Sequence, residues 1–85
     1  MDTTDIIKER TVTHGDFTNV ANVASGFKKT LRLGVNYKNF TDVQKECLDM
    51  ILHKIARICS GDPNYVDHWQ DIIGYTQLVV DRLNK

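Results

Sequence analysis

Proline occurs once in this 85-residue chain, cysteine twice, and aromatic residues make up only 8% of it. Each scarcity excludes something. With Pro63 as the one residue that cannot continue a helix, almost the whole chain is open to helix. Cys47 and Cys59 fall in one expected helix, about 18 Å apart at 1.5 Å per residue. A disulfide needs α-carbons within about 7 Å, so the two read as reduced packing residues rather than a bridge or a zinc pair. Charge of one sign is also missing, since eleven Lys and Arg balance eleven Asp and Glu. That balance argues against long nucleic acid as the partner. No apolar run approaches the roughly 20 residues of a membrane span, and Met1-Asp2-Thr3-Thr4-Asp5 is acidic, without an apolar leader segment. The expectation is a cytoplasmic protein with no membrane partner.

What the chain does have is helical periodicity. The spacing predicts one all-α domain over residues 1–85, a small bundle of three main helices plus a short N-terminal helix. Its core is small, because a chain of this length buries only about 60% of its unfolded surface. A short helix from about Asp5 to Val12, capped by Thr4, comes first, weakened at its end by the β-branched Thr11, Val12 and Thr13. Phe17, Val20, Ala21, Ala24, Phe27 and Leu31 then recur at three- and four-residue steps up to about Leu33, with Gly34 placed as a stop. Gly26 inside this helix costs about 1 kcal/mol relative to alanine, so a close neighbour is expected against it. After a connector containing Tyr37 and Phe40, Thr41-Asp42-Val43-Gln44 has the spacing of a capping box. The helix from Asp42 carries Cys47, Leu48, Ile51, Leu52, Ile55, Ile58 and Cys59 on one broad face and ends at Gly61. A turn at Asp62-Pro63-Asn64 precedes the last helix, from about Val66 to Leu83. There Trp69, Ile72, Ile73, Thr76, Val80 and Leu83 read as the core stripe, and Asp67, Asp71, Tyr75, Leu78 and Arg82 as a second stripe. The apolar members of that second stripe, together with Val79, exceed what a small monomer's outer face needs, so a homo-oligomer is expected.

The residues able to carry chemistry cluster late in the chain. Lys54 and Arg57, three apart, can reach the same side and suit phosphate; they could equally complement a helix C-terminus. Asp71 could accept from a ribose hydroxyl or pair with Lys54 or Arg57. Asp67 fits a capping box with Gln70. Gly74 admits a close neighbour beside Tyr75, and Trp69 reads as core with an edge toward a pocket. His14-Gly15-Asp16-Phe17 forms a turn in which Asp16 caps the next helix and His14 lies in solvent or meets an anion. His53 and His68 have no metal-ligand spacing, and Lys28, Lys29 and Arg32 read as a solvated face. Glu46, Asp49, Asp67 and Asp71 are four carboxylates on consecutive helices, able in principle to hold magnesium for phosphoanhydride hydrolysis.

Four segments carry a resemblance: His14-Gly15-Asp16-Phe17, Asp42-Val43, Met50-Ile51-Leu52-His53-Lys54-Ile55-Ala56-Arg57, and Asp67-His68-Trp69-Gln70-Asp71-Ile72-Ile73-Gly74-Tyr75. From about Arg10 to Leu83 the chain resembles a family of small, uncharacterised phage and prophage proteins. Its later part also resembles the all-helical MazG-like nucleotide pyrophosphohydrolases. Those carry a Glu-Glu-x-x-Glu block and a later Glu-x-x-Asp, where this chain offers only Glu46-x-x-Asp49 and Asp67-x-x-x-Asp71. In size and pocket chemistry it is similar in kind to viral sponges that sequester nucleotide immune signals in the host bacterial cytoplasm. The expectation is therefore a noncatalytic protein that needs no cofactor and binds a nucleotide or ADP-ribose-type ligand through His14, Lys54, Arg57, Trp69, Asp71 and Tyr75. The alternatives are a Mg2+-dependent hydrolase using Glu46, Asp49, Asp67 and Asp71, and an adaptor that inhibits a host protein.

Overall fold

Each helix begins where a short polar side chain can take over an orphan amide, except the last. The computed structural model describes residues 2–85 and contains α1 (Thr3–His14), α2 (Phe17–Arg32), a 3-10 turn at Tyr37–Asn39, α3 (Asp42–Ser60) and α4 (Val66–Leu83). The Asp2 carboxylate accepts from the Asp5 amide, so α1 starts two residues earlier than expected and Thr4 is not its cap. Its β-branched end does not stop it, and it runs to His14. Asp16 caps α2 by accepting from Asn19 N at 3.2 Å. Thr41 and Gln44 form both halves of the expected capping box of α3. At α4 the expected box is absent. Tyr65 occupies the N-cap with no side-chain hydrogen bond, and Asp67 sits in the first turn.

The all-α class with three main helices and a short N-terminal helix holds. Its arrangement is a layer with α3 in the middle: α2 packs on one side of it, α4 on the other, and α1 touches α3 more lightly. The α2–α3 contact supplies the fully buried apolar centre, where Val20, Ala24 and Ala56 meet with Val23 and Phe27 around them. Because α3 is flanked on two sides, its buried surface is not the single face its periodicity suggests, and Cys59 is exposed. Both cysteines are free, and Cys47 donates its thiol to the Tyr75 carbonyl at 3.2 Å.

The largest departure is the phase of α4. Its inward line is Tyr65, His68, Asp71 with Ile72, Tyr75 and Val79, and His68 is its one fully buried residue. Trp69, Ile73, Thr76, Val80 and Leu83 are exposed instead. The stripe that reads as core is therefore mostly an outer flank, and half of the expected second stripe faces inward. Burial follows partners rather than hydropathy here: Asp71 meets Lys54, and His68 meets a backbone carbonyl of α1. No described helix is long and apolar enough to cross a membrane.

Candidate functional site

Two glycines let the chain ends of three helices converge. A Cβ built on Gly61 would lie 2.5 Å from Gly15 N and 2.6 Å from Thr13 O; one on Gly15 would lie 2.7 Å from Ser60 Cβ. Gly15 also has φ 84°, a left-handed value that glycine tolerates and other residues resist. This contact brings the end of α1 against the α3–α4 turn. The Thr13 carbonyl then accepts twice, from Asp62 N and from His68 Nε2, each at 3.2 Å. Since a carbonyl can only accept, His68 carries a proton on Nε2.

Around this joint the rings of His14, Tyr65 and His68 form a triangle. Their centroids are 4.7 Å apart for His14–His68, 4.9 Å for Tyr65–His68 and 5.4 Å for His14–Tyr65. His14 Nδ1 also meets the Thr13 hydroxyl. Two buried polar atoms at the joint, His68 Nδ1 and Ser60 Oγ, have no hydrogen-bond partner among the described residues. Buried polar atoms are ordinarily hydrogen-bonded, so the joint has capacity for a ligand or water.

Positive charge gathers at the same place. Burial lowers the His14 pKa most, and the nearby charges of Arg10, His68, Arg57 and Lys54 lower it further. Burial followed by the charge of Arg10 also lowers the pKa of Arg57. Lys54 Nζ lies 2.9 Å from Asp71 Oδ2, the one ion pair among the described residues. That hydrogen bond holds the Asp71 pKa below the ordinary carboxylate value, against a smaller opposing effect of burial. Asp67 pushes the Tyr65 phenol up, first by hydrogen bonding and then by charge. Neither Arg10 nor Arg57 makes an ion pair among the described residues. The C-terminal ends of α1 and α3 supply about half a negative charge each.

The structure brings His14, Lys54, Arg57 and Asp71 together, as the sequence suggests, and sets the other two candidates apart. Trp69 is turned to the outer flank, where its indole N–H donates to the Pro63 carbonyl at 2.9 Å. Tyr75 lines a separate groove of about 390 Å³ along the α3–α4 edge with Glu46, Met50 and Leu78. Arg10, Tyr65 and His68 were missed. The signal for two of them was present: Tyr65, His68 and Asp71 recur at three-residue steps, one line of a helix and its cap. Arg10 had no local signal.

The carboxylates named for the hydrolase alternative do not converge. Glu46 opens on the Tyr75 groove, while Asp71 holds Lys54. Asp49 lies two turns before Ala56, on the face turned to α2. Among the described residues no three of His, Cys, Asp and Glu are grouped to hold a metal ion. Apart from its chain neighbours and its own helix backbone, neither Gly26 nor Gly74 has a described residue within 4 Å of a built Cβ, so no close helix neighbour lies against either among the described residues. His53 faces α2 beside Lys28, and burial lowers its pKa first.

A family model described as a domain of unknown function, DUF6378, matches residues 2–82, and the chain belongs to that family. No curated protein and no solved structure matches the chain.

Proposed function

We propose that the protein binds a phosphate-bearing, nucleotide-like small molecule, of nucleotide or ADP-ribose type, at the joint of α1, α3 and α4, and sequesters it without turning it over. The observation that carries this reading is the joint itself, where His68 Nδ1 and Ser60 Oγ are buried with no hydrogen-bond partner among the described residues and Arg57, half-buried nearby, has no ion pair among them. A half-buried guanidinium without a counter-charge gains from an anion placed beside it, and buried polar atoms without partners gain from a ligand that bonds to them. Arg10 and Arg57 would grip one phosphate and Lys54 a second. His14 would donate to a phosphate oxygen when protonated. Tyr65, half-buried at the rim, would stack on the base in place of the distant Tyr75 and Trp69. Asp71 holds Lys54 through one oxygen, and its other oxygen can accept from a ribose hydroxyl.

Sequestration is preferred to hydrolysis because the four carboxylates that would hold magnesium point to different parts of the fold. Together with the resemblance to small phage proteins, this supports an anti-defence role: a sponge that removes a nucleotide immune signal from the host cytoplasm. To test it, the protein is incubated with cell extract and with defined nucleotides plus Mg2+, re-isolated and heat-denatured, and the released small molecules are identified by mass spectrometry. Intact ligand in stoichiometric amount is expected. Turnover would overturn sequestration in favour of a pyrophosphohydrolase. No bound nucleotide and an unchanged Tm would overturn the site itself and leave an adaptor that binds a host protein.

A further inference from the structure

The outer flank of α4 carries a stripe that the described residues leave largely open: Val66 is 56% exposed, Trp69 51%, Ile73 67%, Val80 40% and Leu83 68%. At 100° per residue these positions and Thr76 fall on one side of the helix. The neighbouring polar positions are Gln70, Gln77 and Asn84. The charged residues of α4, namely Asp67, Asp71, Asp81 and Arg82, all lie on the remaining part of its circumference. An exposed face that is apolar at its centre and free of charge at its edge has the composition of a protein interface, not of a solvated surface.

The spacing says what covers it. Trp69, Thr76 and Leu83 are spaced by sevens, with the exposed Ile73 between the first two and Val80 between the last two. Rotating a second α4 by 180° about an axis beside Thr76 sets Trp69 against Leu83 of the copy and Ile73 close to Val80. Apolar residues then meet apolar residues along the whole stripe, with the small Thr76 at the crossing. The same rotation opposes the two helix dipoles.

Area points the same way. The accessible surface is 6059 Å², whereas a compact monomer of 9.7 kDa exposes about 5100 Å². The excess, about 900 Å², matches the roughly 800 Å² that each partner buries in a standard interface. The stripe also continues into a groove of about 490 Å³ walled by Phe40, Leu48, Ile51, Thr76 and Val80, so contact need not stop at one helix. Trp69, fixed by its bond to the Pro63 carbonyl, supplies a rigid anchor at each end.

We infer that the protein is a twofold dimer in which α4 packs antiparallel on α4 of a second copy, the axis passing beside Thr76. His68 and Asp71, which face the anion site, are outside the stripe. Sedimentation equilibrium of the full chain at micromolar concentrations is expected to give twice the chain mass. Ile73→Glu puts a charge in the middle of the contact at an exposed position, so it is expected to give a monomer with an unchanged helical circular-dichroism signal. A monomeric wild type, or a dimer that survives Ile73→Glu, would overturn the proposal. Orientation is read separately in a Cys47→Ser, Cys59→Ser background under mild oxidation. Thr76→Cys is expected to cross-link to its own copy. Gln70→Cys, about 18 Å from its counterpart in the antiparallel pair, is not, and a cross-link at Gln70→Cys would overturn the antiparallel arrangement.

Discussion

Gly61 and Gly15 touch backbone to backbone, with room for no side chain on either: a Cβ on Gly61 would come within 2.5 Å of Gly15 N. The contact ties α1 to the α3–α4 turn and thereby places His14 beside Tyr65 and His68. None of the buried apolar residues belongs to α1. This joint and its two hydrogen bonds to the Thr13 carbonyl are accordingly what hold α1's end in place.

Gly61→Ala is expected to destabilise the fold by about 1–3 kcal/mol, because backbone rather than a movable side chain must give way. For a domain of this size that is a fall in Tm of several degrees or more, about 4–8 °C per kcal/mol. Gly26→Ala and Gly74→Ala meet nothing within 4 Å and are expected to stabilise by about 0.5–1 kcal/mol through helix propensity. Thermal melts of the three variants check both signs. A Gly61→Ala melt that matches wild type would mean the joint is not close-packed.

The difference between these glycines also marks what a sequence can and cannot reveal. Gly26 and Gly74 attract notice because they interrupt helices, yet neither has a neighbour; Gly15 and Gly61 sit unremarked in turns, and their contact joins segments far apart in the chain. Local devices were legible: the Thr41–Gln44 box and the Asp16 cap depend on residues three apart. Lys54, Arg57 and His14 were legible as cations near helix ends. The phase of α4 was not, because its most apolar stripe is its outer flank, while its inward line includes a histidine and an aspartate that find polar partners on α1 and α3. Arg10 joins the site only through α1's return to α3, which no local pattern records.

Arg57→Met keeps most of the side chain's apolar stem and removes its charge. Since burial and Arg10 both disfavour the Arg57 cation, the variant is expected to melt at or slightly above the wild-type temperature. Ligand retention is expected to fall at least tenfold, about 1.4 kcal/mol. Calorimetric melts and titration with ADP-ribose check the two halves. Lower stability together with full binding would assign Arg57 a structural task only.

Asp71 serves Lys54 in the free protein, so its removal should act on small anions and on ribose-bearing ligands in opposite directions. Asp71→Asn releases Lys54 from its 2.9 Å ion pair and is expected to tighten inorganic pyrophosphate binding severalfold. For ADP-ribose the gain is expected to be smaller, since an acceptor for the ribose hydroxyl is weakened. Parallel titrations with the two ligands separate these contributions; an equal change for both would remove Asp71 from the ribose.

His14 makes both stability and affinity depend on pH, with opposite signs. Its folded pKa lies below the ordinary 6.5, chiefly by burial and then by Arg10, His68, Arg57 and Lys54; Tyr65 and His68 face it from α4. As pH falls through 6.5 the unfolded chain takes up the proton first, so the stability His14 contributes is full above 6.5 and is lost on the way down to its folded pKa. A bound pyrophosphate reverses the local charge and raises that pKa, so binding takes up a proton in the window between the free and bound values. The affinity for ADP-ribose, whose diphosphate does not titrate in this range, is therefore expected to rise as pH is lowered from 8 toward 6, while the Tm of the free protein falls. His14→Gln should flatten the affinity profile and leave the Asp71 acid limb of stability in place. Affinity that is independent of pH in the wild type would place His14 outside the site.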